Sequence, residues 1–264
     1  MTPFDIDRIG KQLEAKRLGG KFHYFAELGS TNVHARTLAE QGAAEGDFVI
    51  AEAQTHGRGR LGRRWESPPG VNLYFSVILR PRLVPVHAPQ ITLMAGVALA
   101  ETIVPLIEQA PVIKWPNDIL VNGRKLAGVL SEAACDPERI DYVILGIGLN
   151  LNYRAVSMPP EIRRRATSVA DLTGNPIDRE SVMLRLIHNL DRCYGELEEF
   201  GFEALRSRWD AFFGLRGRRV RIENHEQVVI GHALGIDRNG ALIIEDDFGK
   251  LQNIYAGDVI PLES

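Results

Sequence analysis

Residues Gly57-Arg58-Gly59-Arg60-Leu61-Gly62-Arg63-Arg64-Trp65 set three glycines among four arginines. Guanidinium groups hold carboxylate or phosphate bidentately and keep their charge, and glycines let a backbone approach a ligand closely. Crowded cations repel one another until an anion neutralises them, so the run reads as a loop for anionic groups. Its glycines also fit GxGxxG, but that fingerprint needs a following helix and an acidic residue about 20 positions on. Here Pro68-Pro69-Gly70 follows, and no Asp or Glu occurs from Ser67 to Ala100. The dinucleotide match is accidental; a solvated basic turn is the plainer rival.

Two further runs carry usable groups. Lys114-Trp115-Pro116-Asn117-Asp118 places a cation, an aromatic ring, an amide and a carboxylate together. Asn117 and Asp118 offer hard oxygens suited to a magnesium–phosphate complex, although a Pro-Asn-Asp turn explains the same residues. Arg124-Lys125-Leu126-Ala127-Gly128 lies just beyond Asn122-Gly123. Lys125 facing a cleft would hold a carboxylate; as an exposed edge-strand charge it would do nothing of the kind. The seven histidines and the cysteines Cys135 and Cys193 show no metal-ligand, redox or nucleophile spacing. Metallohydrolase and acyl-enzyme chemistry therefore lack support.

Regular elements must position these runs. An amphipathic helix is expected over the first 18 residues, with Ile6, Ile9 and Leu13 on one face before Gly19-Gly20. A strand over 21–28 leads into a helix that opens at Gly29-Ser30-Thr31-Asn32 and runs to Gln41, with Ser30 or Thr31 as N-cap. Strands over 48–54 and 72–79 bracket the arginine loop. The broadest apolar face predicts a helix over 90–109. Short strands follow at 112–115 and 119–121, then a type I′ hairpin at Asn122-Gly123 and a return strand over 125–134. The almost wholly apolar run 142–151 predicts a central strand. Residues 153–167 read as a loop, and 179–200 and 202–213 as helices.

After Gly214 the texture changes to short β-rich runs at 218–222, 228–236, 241–245, 250–254 and 258–262, which suggest a small barrel. Two domains, 1–214 and 215–264, also suit a chain of 264 residues. A hydrophobic share of 45% and a charged share of 25% are those of an ordinary soluble globular protein. A net charge of −3 argues against a general nucleic-acid binder. With no secretory signal and no apolar run of membrane-spanning length, a cytoplasmic protein without a membrane partner is expected.

Taken together, Ser30-Thr31-Asn32, Gln54 with Gly57–Trp65, Lys114–Asp118 with Arg124–Gly128, and Gly146–Asn150 resemble the motif series of biotin protein ligases. Order and separation match, and the resemblance covers roughly residues 20–262. It implies an α+β fold: a mixed β-sheet flanked by helices, related to class II aminoacyl-tRNA synthetases, with a small C-terminal SH3-like β-barrel. It implies that ATP, with Mg2+, activates biotin to biotinyl-5′-AMP with release of pyrophosphate. A lysine of the biotin carboxyl carrier protein of acetyl-CoA carboxylase, or of other biotin-dependent carboxylases, then takes the biotin. Carried over by position, Ser30, Thr31, Asn32, Gln54, Trp65 and Gly128 belong to the biotin site. Arg58, Gly59, Arg60 and Lys125 hold the carboxylate and adenylate phosphate, with Arg60 and Lys125 as the catalytic pair. Arg63, Lys114, Asn117, Asp118 and Asn150 fall on the ATP side, with Asp118 toward magnesium and no tightly bound metal.

Bifunctional members carry an N-terminal winged helix, whereas 20 residues precede the first catalytic strand here, so a ligase without specific DNA binding is expected. A homodimer is compatible with this reading. Lipoate protein ligase is the nearest rival, which the arginine loop disfavours. A non-enzymatic nucleic-acid-binding protein using Arg58–Arg64, Arg163–Arg165 and Arg216–Arg221 is the rival from another class; it would lack the expected aromatic stacking series.

Overall fold

A computed structural model describes residues 3–14, 16–223 and 228–262. Seven strands make the larger sheet: β1 (Phe22–Leu28), β2 (Phe48–Gln54), β3 (Leu73–Leu79), β4 (Val112–Lys114), β5 (Asp118–Val121), β6 (Arg124–Cys135) and β7 (Ile140–Leu149). Their order is β1-β2-β3-β7-β6-β5-β4, with β1 and β2 parallel and the other neighbours antiparallel, so the sheet is mixed as expected. The apolar β7 takes the middle place. Asn122 and Gly123 both adopt positive φ, at 50° and 72°, as a type I′ turn between β5 and β6 requires.

Strand alternation sorts the side chains onto two faces. Phe48, Ile50, Phe75, Val77, Val129, Leu145 and Ile147 enter the main core, while Val49, Ile78 and Ile144 pack on the opposite face. The helices are α1 (Ile6–Leu13), α2 (Thr31–Glu40), α3 (Pro89–Ile103), α4 (Pro160–Arg163), α5 (Val169–Thr173), α6 (Arg179–Phe200) and α7 (Glu203–Phe212). Ala35 and Ala39 of α2 cover the second face. The main core lies between the sheet and α3, which α6 and α7 back from outside.

Several boundaries differ from expectation. α1 starts at its N-cap Asp5, whose carboxylate accepts from Arg8 N, and ends at Leu13 rather than continuing to residue 18; positions 1, 2 and 15 of that expectation lie outside the described residues. Leu18 is instead buried, its N–H donating to Asp191 at 2.8 Å. α3 stops at Ile103 and a 3-10 turn follows, because Pro105 has no N–H to continue the helix. Residues 153–167 contain a 3-10 turn and α4, and α5 follows, started by a Ser168–Asp171 cap and ended by Gly174 at φ 78°. One segment, Pro85–Leu106, is after all long and apolar enough to cross a membrane. It is the α3 region, and it fills the core.

The C-terminal sheet is antiparallel: β8 (Arg219–Glu223), β9 (Val228–Ile236), β10 (Leu242–Glu245), β11 (Leu251–Ile254) and β12 (Asp258–Pro261), in the order β11-β10-β9-β8-β12. Its edges β11 and β12 do not pair, so the barrel expected from the strand spacing is not closed among the described residues. Both edges are only four residues long, and β12 ends on Pro261, which has no donor for a further partner.

One polar device is buried in this frame. Arg179, at the start of α6, donates to both oxygens of Glu52 on β2 at 2.7 and 3.2 Å and to Asn72 O at 3.3 Å. The Phe4 ring lies 4.4 Å from its guanidinium carbon. Tyr24 Oη donates to the same carboxylate at 3.0 Å; burial, reinforced by that hydrogen bond, pushes its phenol up to about 12. Arg179→Met leaves Glu52 charged without its cation and is expected to cost about 3–5 kcal/mol in urea unfolding. A loss below about 1 kcal/mol would show that the pair behaves like a surface ion pair.

Candidate active site

On the face of the sheet that carries α2, three of the four positions where β6 and β7 meet are glycines. Gly128 stands opposite Gly148, and Leu130 opposite Gly146. A Cβ at Gly146 would fall 1.9 Å from Asn32 Oδ1, and one at Gly148 would fall 2.5 Å from the Trp65 ring. Both side chains therefore rest directly on β7.

Neutral hydrogen-bonding groups line the inner end. Asn32 Oδ1 accepts from Ser76 Oγ at 2.7 Å, while its Nδ2 donates to Leu130 O at 3.2 Å and Glu132 Oε2 at 2.8 Å. Thr31 donates to Gln54 Oε1 through its backbone N–H at 2.9 Å and its hydroxyl at 3.2 Å. Gln54 Nε2 donates to Ser67 Oγ at 3.0 Å, and Ser67 Oγ to Trp65 O at 3.2 Å. Ser30 occupies the N-cap position of α2 without a side-chain bond to the helix amides, so its buried hydroxyl is not spent on capping.

Cations gather at the outer end. The 57–65 run folds back on itself, with Trp65 N–H donating to Gly57 O at 2.9 Å and Gly59 N–H to Arg63 O at 2.7 Å. Its tip reverses through Leu61 at φ 55° and Gly62 at φ 71°. Arg60 Nη1 reaches Asn117 Oδ1 at 3.3 Å, and Asn117 Nδ2 is held by Val129 O at 2.9 Å. Burial lowers the Arg60 pKa, against the opposing pull of Asp118 and Asp258. Lys125 Nζ lies 2.7 Å from Asp118 Oδ1 and 5.2 Å from the centre of a Trp65 ring.

One pocket is lined by Ser30, Thr31, Asn32, Gln54, Arg60 and Lys125 among others. It holds about 50 Å³, less than the 280 Å³ of a second cavity between α3, β6 and Tyr255. The smaller one carries the convergence of polar groups and is the better candidate for chemistry. A neutral, directional inner end with a cationic mouth suits a ligand with a polar uncharged head and an anionic tail.

The profile of the Biotin/lipoate A/B protein ligase family matches residues 25–150, and that of the Biotin protein ligase C terminal domain matches residues 216–260. The bifunctional ligase/repressor BirA of Bacillus subtilis is 36% identical over 247 residues, covering 94% of this chain and 76% of that protein. The chain belongs to the biotin protein ligase family. The biotin–[acetyl-CoA-carboxylase] ligase of Mycobacterium tuberculosis is 37% identical over 90% of this chain and 87% of its own. Among solved structures, the biotin protein ligase of Aquifex aeolicus in complex with biotin and ATP superposes with a TM-score of 0.80. It is 30% identical, over 92% of this chain and 99% of that one. The match to a C-terminal domain of biotin protein ligases separates this enzyme from the lipoate reading.

In this ligase the pocket gathers Ser30, Thr31, Asn32, Gln54, Arg58, Gly59, Arg60, Trp65, Asn117, Lys125 and Gly128. Asp118 sits behind Lys125, one bond removed from the lining. Three expected positions are elsewhere. Arg63 donates to Asp258 Oδ2 at 2.6 Å, and Lys114 Nζ lies 3.6 Å from Asp258 Oδ1, so both turn toward the C-terminal sheet. Asn150 is buried, accepting from Asn72 at 3.2 Å and donating to Thr167 O at 3.0 Å. That bond helps hold residues 165–167 against Lys125, whose N–H donates to Arg165 O and whose carbonyl accepts from Thr167 N–H. The basic tracts are exposed but mostly paired within the chain: Arg163 caps the carbonyls of Val156 and Met158, Arg219 meets Asp247, and Arg221 meets Glu223. Ser67, Ser76, Glu132 and Asp258 were not anticipated. Each belongs to no motif, and Ser76, Glu132 and Asp258 act through partners distant in sequence.

Two measurements probe this geometry. Gly148→Ala is expected to destabilise by about 1–3 kcal/mol through overpacking against Trp65, a penalty that shrinks in the Gly148→Ala/Trp65→Leu double variant. An equal penalty in both backgrounds would place the clash elsewhere. The second concerns pH. Burial pushes the Asp258 carboxyl up, but the Arg63 hydrogen bond and the Lys114 and Arg63 charges outweigh it and hold it below its ordinary value. A depressed folded pKa adds stability above the unfolded value of about 3.9, lost as pH falls through the folded one. Asp258→Asn should therefore lose less Tm than the parent on acidification below about pH 4. Parallel Tm curves would refute the coupling.

Proposed function

We propose that this chain activates biotin with ATP to biotinyl-5′-AMP and transfers the biotin to a lysine of the carrier protein of acetyl-CoA carboxylase. The observation that carries the reading is the pocket's division into a neutral inner end at Thr31, Asn32 and Gln54 and a cationic mouth at Arg60 and Lys125. Biotin has that form, an uncharged ureido head and a carboxylate tail. The relatives named above supply biotin, ATP and the carboxylase as the molecules concerned.

In the first step a carboxylate oxygen attacks the α-phosphorus, the bond to the bridging oxygen breaks, and pyrophosphate leaves. Two anions must meet, so the protein's contribution is orientation and charge neutralisation. Ser30, Thr31, Asn32 and Gln54 orient the head, Gly128 leaves room beside Trp65, and Arg58, Gly59, Arg60 and Lys125 neutralise the reacting groups. In the second step the lysine amine attacks the acyl carbon, AMP leaves as the phosphate, and the amine gives up a proton as the amide forms. In this reading Asn117 and Asp118, beside Arg60 and Lys125, take the nucleotide phosphates. Asp118 is already paired with Lys125, so magnesium would come with ATP and be held chiefly by phosphate oxygens, with Asp118 as its protein ligand. The division into a catalytic unit over 1–214 and an accessory unit over 215–264, with a barrel-like C-terminal fold, is part of the same reading.

Purified protein should catalyse biotin-dependent exchange of pyrophosphate into ATP, then label a carrier domain with biotin and not with lipoate. No exchange beside an active control would sink the assignment. Arg60→Ala and Lys125→Ala should each shorten adenylate retention by about tenfold or more while shifting Tm little, since both remove charge from a partly open mouth. Collapse of both variants would reduce these residues to structural parts.

A further inference from the structure

The four arginines of the 57–65 loop are not equivalent. Arg60 is half-buried and reaches Asn117 in the pocket, whereas Arg58, Arg63 and Arg64 are exposed. Arg58 Nη1 meets Glu132 Oε1 at 3.2 Å, on β6 of the large sheet. Arg63 Nη2 meets Asp258 Oδ2 at 2.6 Å, on β12 of the other sheet. The two pairs flank the reversal at Leu61-Gly62 and grip opposite ends of the loop.

Neither carboxylate is an isolated surface charge. Glu132, 18% exposed, also accepts from Arg36 Nη2 at 2.6 Å and Asn32 Nδ2 at 2.8 Å. One side chain thus joins the loop to the Asn32 amide that lines the pocket. Asp258, 30% exposed, binds Arg63 and Lys114 together, and Lys114 opens the Lys-Trp-Pro-Asn-Asp run that supplies Asn117 to Arg60. Two further bonds clamp the same junction: Trp115 Nε1 donates to Gly240 O at 3.0 Å and Gln90 Nε2 to Arg238 O at 2.9 Å. Without these ties four neighbouring cations would spread apart, and Arg60 would lose its register over the pocket mouth.

We infer that Glu132 and Asp258 are positioning residues: they fasten the two ends of the arginine loop, one to the large sheet and one to the C-terminal sheet, so that Arg60 is held over the pocket. The consequence for the reaction rests on the biotinyl-adenylate reading; the fastening itself does not.

The loop offers trypsin four cleavage points, so its fastening can be read without substrate. Glu132→Gln and Asp258→Asn, which keep shape and remove charge, should each raise the rate of tryptic nicking within 57–65 by about fivefold or more, as expected when local opening becomes cheaper. Both should also speed biotinyl-AMP release and raise the biotin KM more than they lower kcat. If Glu132 acts through Arg58, the Arg58→Gln/Glu132→Gln pair releases adenylate no faster than Arg58→Gln alone, and likewise for Arg63→Gln/Asp258→Asn. Unchanged nicking, or additive effects in both pairs, overturns the inference. Should the parent protein form no adenylate, the functional reading fails, and the nicking rates still decide whether the two carboxylates fasten the loop.

Discussion

Asn32 and Trp65 lie so close to the backbone of β7 that even a methyl group at residue 146 or 148 would collide with them. Removing side chains from a central strand costs strand propensity, and β7 recovers it through pairing on both sides with β3 and β6 over 143–149 and through a core face of Val143, Leu145, Ile147 and Leu149. What the bare stretch makes possible is a pocket with backbone for its floor. The amide of Asn32 and the ring of Trp65 then become its walls. The direction of the hydrogen bonds through Thr31, Gln54, Ser67 and Trp65 O follows from that placement, because each donor has one acceptor within reach.

Above this neutral floor the electrostatic problem is to concentrate cations for an anionic product in a chain of net charge −3. The structure solves it by pairing most of them in advance. Lys125 is set against Asp118, Arg58 against Glu132, and Arg63 with Lys114 against Asp258. Arg60 is left on a neutral amide partner and is the most desolvated arginine of the loop, which makes it the cation with most to gain from an incoming anion.

Much of this was legible in the chain. Asn122-Gly123 announced its turn because only residues tolerant of positive φ fit there, and the apolar run of β7 announced a strand buried on both faces. The long α6 runs over Arg179–Phe200, as expected. Local signals failed where distant contacts decide. α1 stops at Leu13, with Leu18 held instead by Asp191, and α3 ends at a proline that the apolar face concealed. The five short strands expected to make a barrel form a sheet whose edges, β11 and β12, do not pair among the described residues. In the site, motif residues were visible as motifs, but their partners were not. Arg63 and Asp258 are 195 residues apart, and nothing about a lone aspartate in a terminal strand marks it as the loop's anchor.

The junction at Phe213–Gly217 has a further meaning for how such sequences can be recombined. Phe213 bridges to Ile113, and a side chain at Gly214 would strike Val112, so the crossing peptide is itself packed on β4. Two residues on the far side, Gly240 and Asp258, complete contacts that begin at Trp115 and Lys114. A chimera joined here would inherit half of each contact from either parent. It would keep both contacts only where the donor brings a carboxylate at 258 and a turn that presents the carbonyl of residue 240 to Trp115.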